Sequence, residues 1–182
     1  MKKKLYSFIL LKLMGWKIEG QFDESIKKCV FIVVPHTSWH DFFLGLLIRG
    51  VMDTTINFVG KKELFNFTFG WYFRMVGGEP LDRSGGNNKV DSIVKIFNQK
   101  ELFRLAMSPE GTRKKVTDFR TGFYYISKKA NVPIVPVAFD FGNKKIVFHQ
   151  PFTPTESIEN DMEYIKSLYR GVKGKIVERS FE

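Results

Sequence analysis

The feature that most constrains the fold is an alternation between short apolar runs and longer segments with helical periodicity. Apolar runs of about four to eight residues, rich in β-branched and aromatic side chains, predict strands. Strands that alternate with helices predict an α/β sandwich, in which helices flank a central sheet that is mixed but mostly parallel. A chain of 182 residues is long enough for one such domain, so we expect a single domain over residues 1–182. The predicted strands cover residues 29–34, 55–59, 102–107, 134–139 and 145–148. The predicted helices cover residues 41–51, 62–76, 87–100, 120–130 and about 157–180, the last of them interrupted near Gly171 and Gly174.

The first 20 residues predict a basic amphipathic helix. They contain five lysines and one glutamate, and Leu5, Phe8 and Ile9 follow one another at helical spacing. Such a helix can lie on an anionic membrane surface, or it can pack its apolar face on the domain, and the sequence leaves both possibilities open. The net charge of the whole chain is +10, which favours anionic partners. No apolar run reaches the roughly 18 residues that a membrane-spanning helix needs.

A polar cluster follows the first long apolar run, in the segment VVPHTSWHDFF. Pro35 ends the strand because it has no N–H to donate, and His36 and Asp41 then lie five positions apart. A carboxylate bonded to one imidazole nitrogen fixes the tautomer, so that the other nitrogen can act as a general base. A metal site that uses His40 or His149 is the alternative, but four ligands are hard to assemble from these residues, and we expect no metal.

Two further segments carry charge next to glycine. MSPEGTRKK, residues 107–115, follows a predicted strand and contains Arg113, whose planar guanidinium group suits a phosphate. GGEPLDRSGGN, residues 77–87, is rich in glycine and centres on Arg83. Either segment alone is also compatible with an ordinary surface turn.

The order and spacing of these segments resemble those of the bacterial glycerolipid acyltransferases, the lysophosphatidic acid acyltransferase (1-acylglycerol-3-phosphate O-acyltransferase) family. The four matching blocks span about residues 30 to 140, and the chain is most similar to a small bacterial branch of the family. Two departures concern the acceptor: Glu-Pro stands in the second block where two apolar residues are usual, and Lys114 stands where Ser or Thr is common. The blocks are His36 to Asp41 (the His-x4-Asp motif), GGEPLDR ending at Arg83, PEGTR over residues 109–113, and VPIVPV over residues 132–137.

The resemblance implies transfer of a fatty acyl chain from acyl-CoA or acyl carrier protein to a hydroxyl of a lysophospholipid such as 1-acylglycerol 3-phosphate. It also implies that no cofactor and no metal take part. His36 is then the general base and Asp41 its orienting partner. The residues implied in binding the acceptor are Arg83, Glu110, Gly111, Thr112 and Arg113.

These expectations extend to location and partners. We expect a cytoplasmic protein that is peripheral on the inner face of the cell membrane and binds its anionic surface. No recognised nucleic-acid motif is present, so we expect no nucleic-acid partner. Two alternatives stay open: an acyltransferase with a different lipid acceptor, such as a lyso-ornithine lipid, and a non-enzymatic module that binds anionic lipid.

Overall fold

A computed structural model describes residues 2–66, 70–81 and 88–181. Its centre is a five-stranded sheet in the order β1–β7–β6–β2–β5, in which only the β6–β7 pair is antiparallel. The mostly parallel, mixed sheet of an α/β fold is therefore confirmed. The strands of this sheet are β1 (Lys17–Glu19), β2 (Lys28–Val34), β5 (Phe103–Met107), β6 (Ile134–Asp140) and β7 (Lys145–Phe148).

A second, two-stranded parallel sheet lies beside the first. It consists of β3 (Phe58–Lys61) and β4 (Gly78–Leu81). Asn57, just before β3, exchanges backbone hydrogen bonds with Arg104 and Ala106 of β5, which fixes the small sheet against the edge of the large one. The helices are α1 (Lys2–Ser7), α2 (His40–Met52), α3 (Gly70–Met75), α4 (Lys89–Gln99), α5 (Gly122–Ala130) and α6 (Ile158–Ser167).

The core lies on both faces of the large sheet, because successive side chains of a strand point to opposite faces. Val30, Ile32 and Val34 of β2 pack into one apolar layer with residues of α4, α5 and α6. Cys29 and Phe31 pack into the other layer with residues of α2 and the N-terminal helix. Burial on both faces explains why β2 and β6 are almost continuously apolar.

The N-terminal helix is shorter than predicted. It consists of α1 and a π-helical continuation over Phe8–Leu13, and β1 occupies part of the predicted range up to residue 20. Leu10 is fully buried against α2, whereas Leu5 and Phe8 are 58% and 59% exposed. One face therefore packs on the domain while another stays at the surface.

Two other predicted helices differ from the structure. The predicted helix over residues 62–76 contains a short 3-10 turn at Lys62–Phe65 and then α3, with residues 67–69 outside the described part. The predicted closing helix ends at Ser167, and only a 3-10 turn at Val177–Arg179 follows. Within the described residues, no helix combines the length and the apolar character needed to cross a membrane.

Candidate active site

The site is built at the carboxyl ends of two neighbouring parallel strands. Residues of β2 pair in register with residues of β5, from Lys28 with Phe103 to Ile32 with Met107. The loop after β2 carries His36, and the turn after β5 carries residues 108–113, so the register brings the two motifs together. Ligand sites of α/β sheets commonly form at this edge.

His36 and Asp41 form a hydrogen-bonded pair. Nδ1 of His36 lies 3.0 Å from Oδ2 of Asp41, and the two side chains are 27% and 2% exposed. The same Oδ2 accepts a hydrogen bond of 2.9 Å from the backbone N–H of Ser38. Asp41 lies in the first turn of α2, where the helix dipole stabilises a negative charge. We assign the proton to Nδ1 from this contact, which leaves the lone pair on Nε2.

Glu110 supports the backbone of His36. Its Oε2 atom accepts hydrogen bonds from the His36 backbone N–H at 2.6 Å and from the Ser108 hydroxyl at 3.0 Å. The carboxyl is buried, and burial raises its pKa although these hydrogen bonds and the charge of His36 oppose the rise. His36 lines an apolar and a basic pocket, and Glu110 lines neither of them. Its contacts therefore position His36, whereas contact with an acceptor remains a prediction.

His36 lines a basic pocket of about 550 Å³. Gly111, Thr112, Arg113, Lys114 and Arg179 line it together with the imidazole. Nε of Arg113 donates a 3.4 Å hydrogen bond to Nε2 of His36, so the imidazole lone pair faces this pocket.

The turn that carries these residues has a left-handed backbone conformation that favours glycine. Gly111 has a φ of +63°, and a Cβ there would lie 2.7 Å from the side chain of Arg120. The Thr112 hydroxyl accepts a 3.2 Å hydrogen bond from the Lys114 backbone N–H, which orders the turn. Gly111, Thr112 and Arg113 therefore line the basic pocket together, and acceptor binding by these three residues stays a prediction.

His36 also lines a second, apolar pocket of about 270 Å³. It runs between the sheet and α2, and both His36 and Asp41 contribute to its wall. Gly45 of α2 also lines it, and nothing lies within 4 Å of the position that a Cβ would take there. Other lining residues include Phe31, Val33, Leu46, Ile56, Phe58 and Met107.

The remaining predicted residues are not at the pair. Arg83 lies outside the described residues, so its predicted role is untested. His40 is exposed and stacks on Trp39 with ring centroids 3.9 Å apart. His149 packs edge-on against Tyr169, and burial lowers its pKa. Among the described residues, no three His, Cys, Asp or Glu side chains are grouped in a way that could hold a metal ion.

Sequence reasoning missed four contributors to this site: two serines, one arginine and an apolar wall. Ser38 and Ser108 stabilise the two carboxylates, but serine at a turn is too common to single out. Arg179 lies more than 60 residues beyond the PEGTR motif, and no local pattern marks it. The apolar pocket wall is formed by residues of six separate elements, so it too is visible only in three dimensions.

Comparison with known proteins defines the class. The acyltransferase family model matches residues 17–140, and the chain belongs to this family. The 1-acyl-sn-glycerol-3-phosphate acyltransferase of Streptococcus pneumoniae is 35% identical over 150 residues, which cover 75% of this chain and 54% of the relative. The enzyme of the same name from Escherichia coli is 32% identical over 146 residues, which cover 75% of this chain and 58% of the relative.

The chain spans about half the length of the curated relatives it matches, between 46% and 59%. A solved structure, the 1-acyl-sn-glycerophosphate acyltransferase of Thermotoga maritima, superposes with a TM-score of 0.60 and 21% identity. The match covers 97% of this chain and 75% of the Thermotoga chain, and it supports the fold.

Proposed function

We propose that this protein transfers a fatty acyl chain from acyl-CoA or acyl carrier protein to a hydroxyl of a lysophospholipid such as 1-acylglycerol 3-phosphate. One observation carries the proposal: His36 forms part of the wall of both an apolar pocket and a basic pocket. An acyl chain suits the first pocket and a phosphate the second, so the reacting groups of the two substrates meet at the imidazole.

The proposed reaction needs only the His36–Asp41 pair. The Asp41 carboxylate accepts a hydrogen bond from the Nδ1–H group of His36, which keeps the proton on Nδ1. Nε2 of His36 then removes the proton from the acceptor hydroxyl. The hydroxyl oxygen then attacks the thioester carbonyl carbon. The C–O bond forms, the C–S bond breaks, and the imidazolium returns its proton to the departing thiolate. In this scheme the acyl group is never attached to the enzyme, and neither a metal nor a cofactor takes part.

Arg113 is the proposed ligand of the acceptor phosphate. Its Nε atom lies 3.4 Å from Nε2 of His36, so a phosphate bound at the guanidinium group brings the glycerol hydroxyls close to the base. We assign the same function to Arg83, on the basis of the family motif alone.

We also propose that the protein is cytoplasmic and binds the inner face of the cell membrane through its N-terminal helix. Phe8 is 59% exposed on a helix that begins with three consecutive lysines. An exposed aromatic side chain and adjacent positive charge favour an anionic interface.

Flotation with vesicles that contain anionic phospholipid tests the membrane proposal. Burying one large apolar side chain in lipid is worth roughly 1.5–3 kcal/mol, so Phe8→Glu should weaken vesicle binding about tenfold or more. Leu102→Ala, which removes another exposed side chain outside that helix, is the control. Equal binding by Phe8→Glu and wild-type protein would exclude this helix as the anchor.

The reaction itself is tested with purified protein, a labelled acyl donor and a panel of lysolipids. Acyl-CoA and acyl carrier protein are supplied separately, and the products are identified by mass spectrometry. The expected result is a diacyl phosphate lipid that forms only when a phosphate-bearing acceptor is present. Acylation of a lyso-ornithine lipid instead would identify the alternative acceptor, and no acylated product with any donor would reject the proposed function.

A further inference from the structure

The C-terminal segment, residues 174–181, contributes to the basic pocket. Arg179 lies in the 3-10 turn at Val177–Arg179 and lines this pocket together with His36 and the PEGTR turn. The family model ends at residue 140, so this residue lies outside every motif that defines the class. The motifs that define the class therefore assign no role to Arg179, and its function needs a separate explanation.

The residues of the segment that precede Arg179 are fixed to the loop that carries His36. The backbone N–H of Ile176 donates a 3.1 Å hydrogen bond to the Thr37 hydroxyl, next to His36 in the chain. Gly174 is buried so closely on the same threonine that a Cβ would lie 2.6 Å from its Cγ2 atom. The backbone N–H of Gly174 also donates a 2.9 Å hydrogen bond to the Ser180 hydroxyl, which closes the segment on itself.

The residues of the segment that follow Arg179 are held in place as well. Phe181 is buried, and its ring centroid lies 4.3 Å from that of Phe119. Arg179 thus lies between two fixed points, and little backbone freedom is lost when its side chain binds a ligand.

The charges around the pocket are positive. Arg113, Lys114 and Arg179 line it, and no carboxylate in the described part of the chain lies within 4.0 Å of the Arg179 guanidinium group. Two guanidinium groups that line one pocket suit an anion that can accept hydrogen bonds from both of them.

We propose that Arg179 is a phosphate-binding residue that selects acceptors with a dianionic phosphate monoester headgroup. This inference rests on the proposed function, because it assigns the basic pocket to the acceptor. Arg113 contacts the phosphate beside His36, and Arg179 contacts it from the C-terminal segment. The charge of this segment thereby favours a phosphate monoester over a neutral or zwitterionic headgroup.

Binding of glycerol 3-phosphate, measured by calorimetry at low salt, tests the inference without requiring turnover. Arg179→Ala should raise the Kd about tenfold, the loss expected for one charge-assisted hydrogen bond. Arg179→Lys keeps the charge and should recover part of the affinity. Lys175→Ala removes the same charge from an exposed position of the same segment that does not line the pocket, and it should bind as the wild type does.

Acyl transfer is measured on the same four proteins. We expect Arg179→Ala to raise the KM for the phosphate acceptor while the KM for the acyl donor stays unchanged. The inference is overturned if Arg179→Ala binds glycerol 3-phosphate as tightly as the wild type does, or if Lys175→Ala loses as much affinity as Arg179→Ala. Either result overturns it even if the wild type transfers acyl chains efficiently. Selective loss of binding in Arg179→Ala without any acyl transfer by the wild type would support the site and reject the proposed function. No binding by the wild type rejects the site.

Discussion

Asp41→Asn isolates the charge of the buried carboxylate from its hydrogen bonds. The Ser38 N–H and the His36 Nδ1–H both point at Oδ2, at 2.9 and 3.0 Å. Oδ1 is buried and has no hydrogen-bond partner among the described residues. An asparagine can therefore place its oxygen at the Oδ2 position and its NH₂ group at the Oδ1 position. The imidazole orientation is kept, and only the negative charge is lost.

The magnitude of this loss follows from the distance. When His36 takes up a proton, the imidazolium and the carboxylate are roughly 4 Å apart, and their attraction is about 4 kcal/mol at an effective dielectric constant of 20. Loss of that attraction lowers the rate about 10³-fold. The buried NH₂ group without an acceptor costs about 1–3 kcal/mol of the free energy of unfolding.

The assay is steady-state acyl transfer, with urea unfolding measured on the same proteins. Asp53→Asn is the matched control, because Asp53 is exposed at the other end of α2 and its φ of 56° is one that asparagine tolerates. This control should keep both the wild-type rate and the wild-type stability.

A double variant tests whether Asp41 acts through the imidazole. If it does, Asp41→Asn combined with His36→Ala should be no slower than His36→Ala alone. A rate within tenfold of the wild type for Asp41→Asn would refute the role of its charge. A further loss in the double variant would show that Asp41 acts independently of His36.

Two other residues of the site give predictions with different readouts. Gly45→Leu should shorten the longest acyl chain that is transferred efficiently by about four carbons, because the new side chain fills part of the apolar pocket. Gly122→Leu is the control, because Gly122 also has open space around it but lies outside the pocket, and this variant should keep the wild-type chain length. Glu110→Gln should change how stability depends on pH. The folded-state pKa of Glu110 lies above its usual value of 4.5, so ionisation opposes folding and the wild type should lose stability relative to the variant as pH rises through that raised pKa. Urea midpoints across this pH range, with exposed Glu101→Gln as the control, measure the difference, and a difference that is constant with pH would contradict the burial of an ionisable carboxyl.

Short, strongly apolar runs made the central sheet predictable. The runs that became β2, β5, β6 and β7 are strongly apolar because three of these strands lie in the interior of the sheet, and their order fixes an α/β fold. β1 was missed because its three residues are mostly polar and continue the basic N-terminal pattern. Its strand conformation comes from parallel pairing with β7, more than 120 residues away along the chain.

The site was predictable only where its residues are close in sequence. The spacing of His36 and Asp41 places both within one turn of chain, so their proximity could be inferred. The contact from Glu110 to the His36 backbone bridges 74 residues, and it depends on the pairing of β2 with β5. Arg179 reaches the basic pocket only because the C-terminal segment folds back on Thr37.

The most direct test of the general-base role of His36 is the rate of acyl transfer by His36→Ala protein, measured beside His40→Ala. The two variants remove the same side chain from positions four residues apart, but only His36 contacts Asp41 and lines both pockets. Loss of a positioned base should slow transfer roughly 10²–10⁴-fold in His36→Ala, whereas His40→Ala should keep the wild-type rate. Transfer by His36→Ala at the wild-type rate, or an equal loss in both variants, would contradict the assignment of His36 as the base.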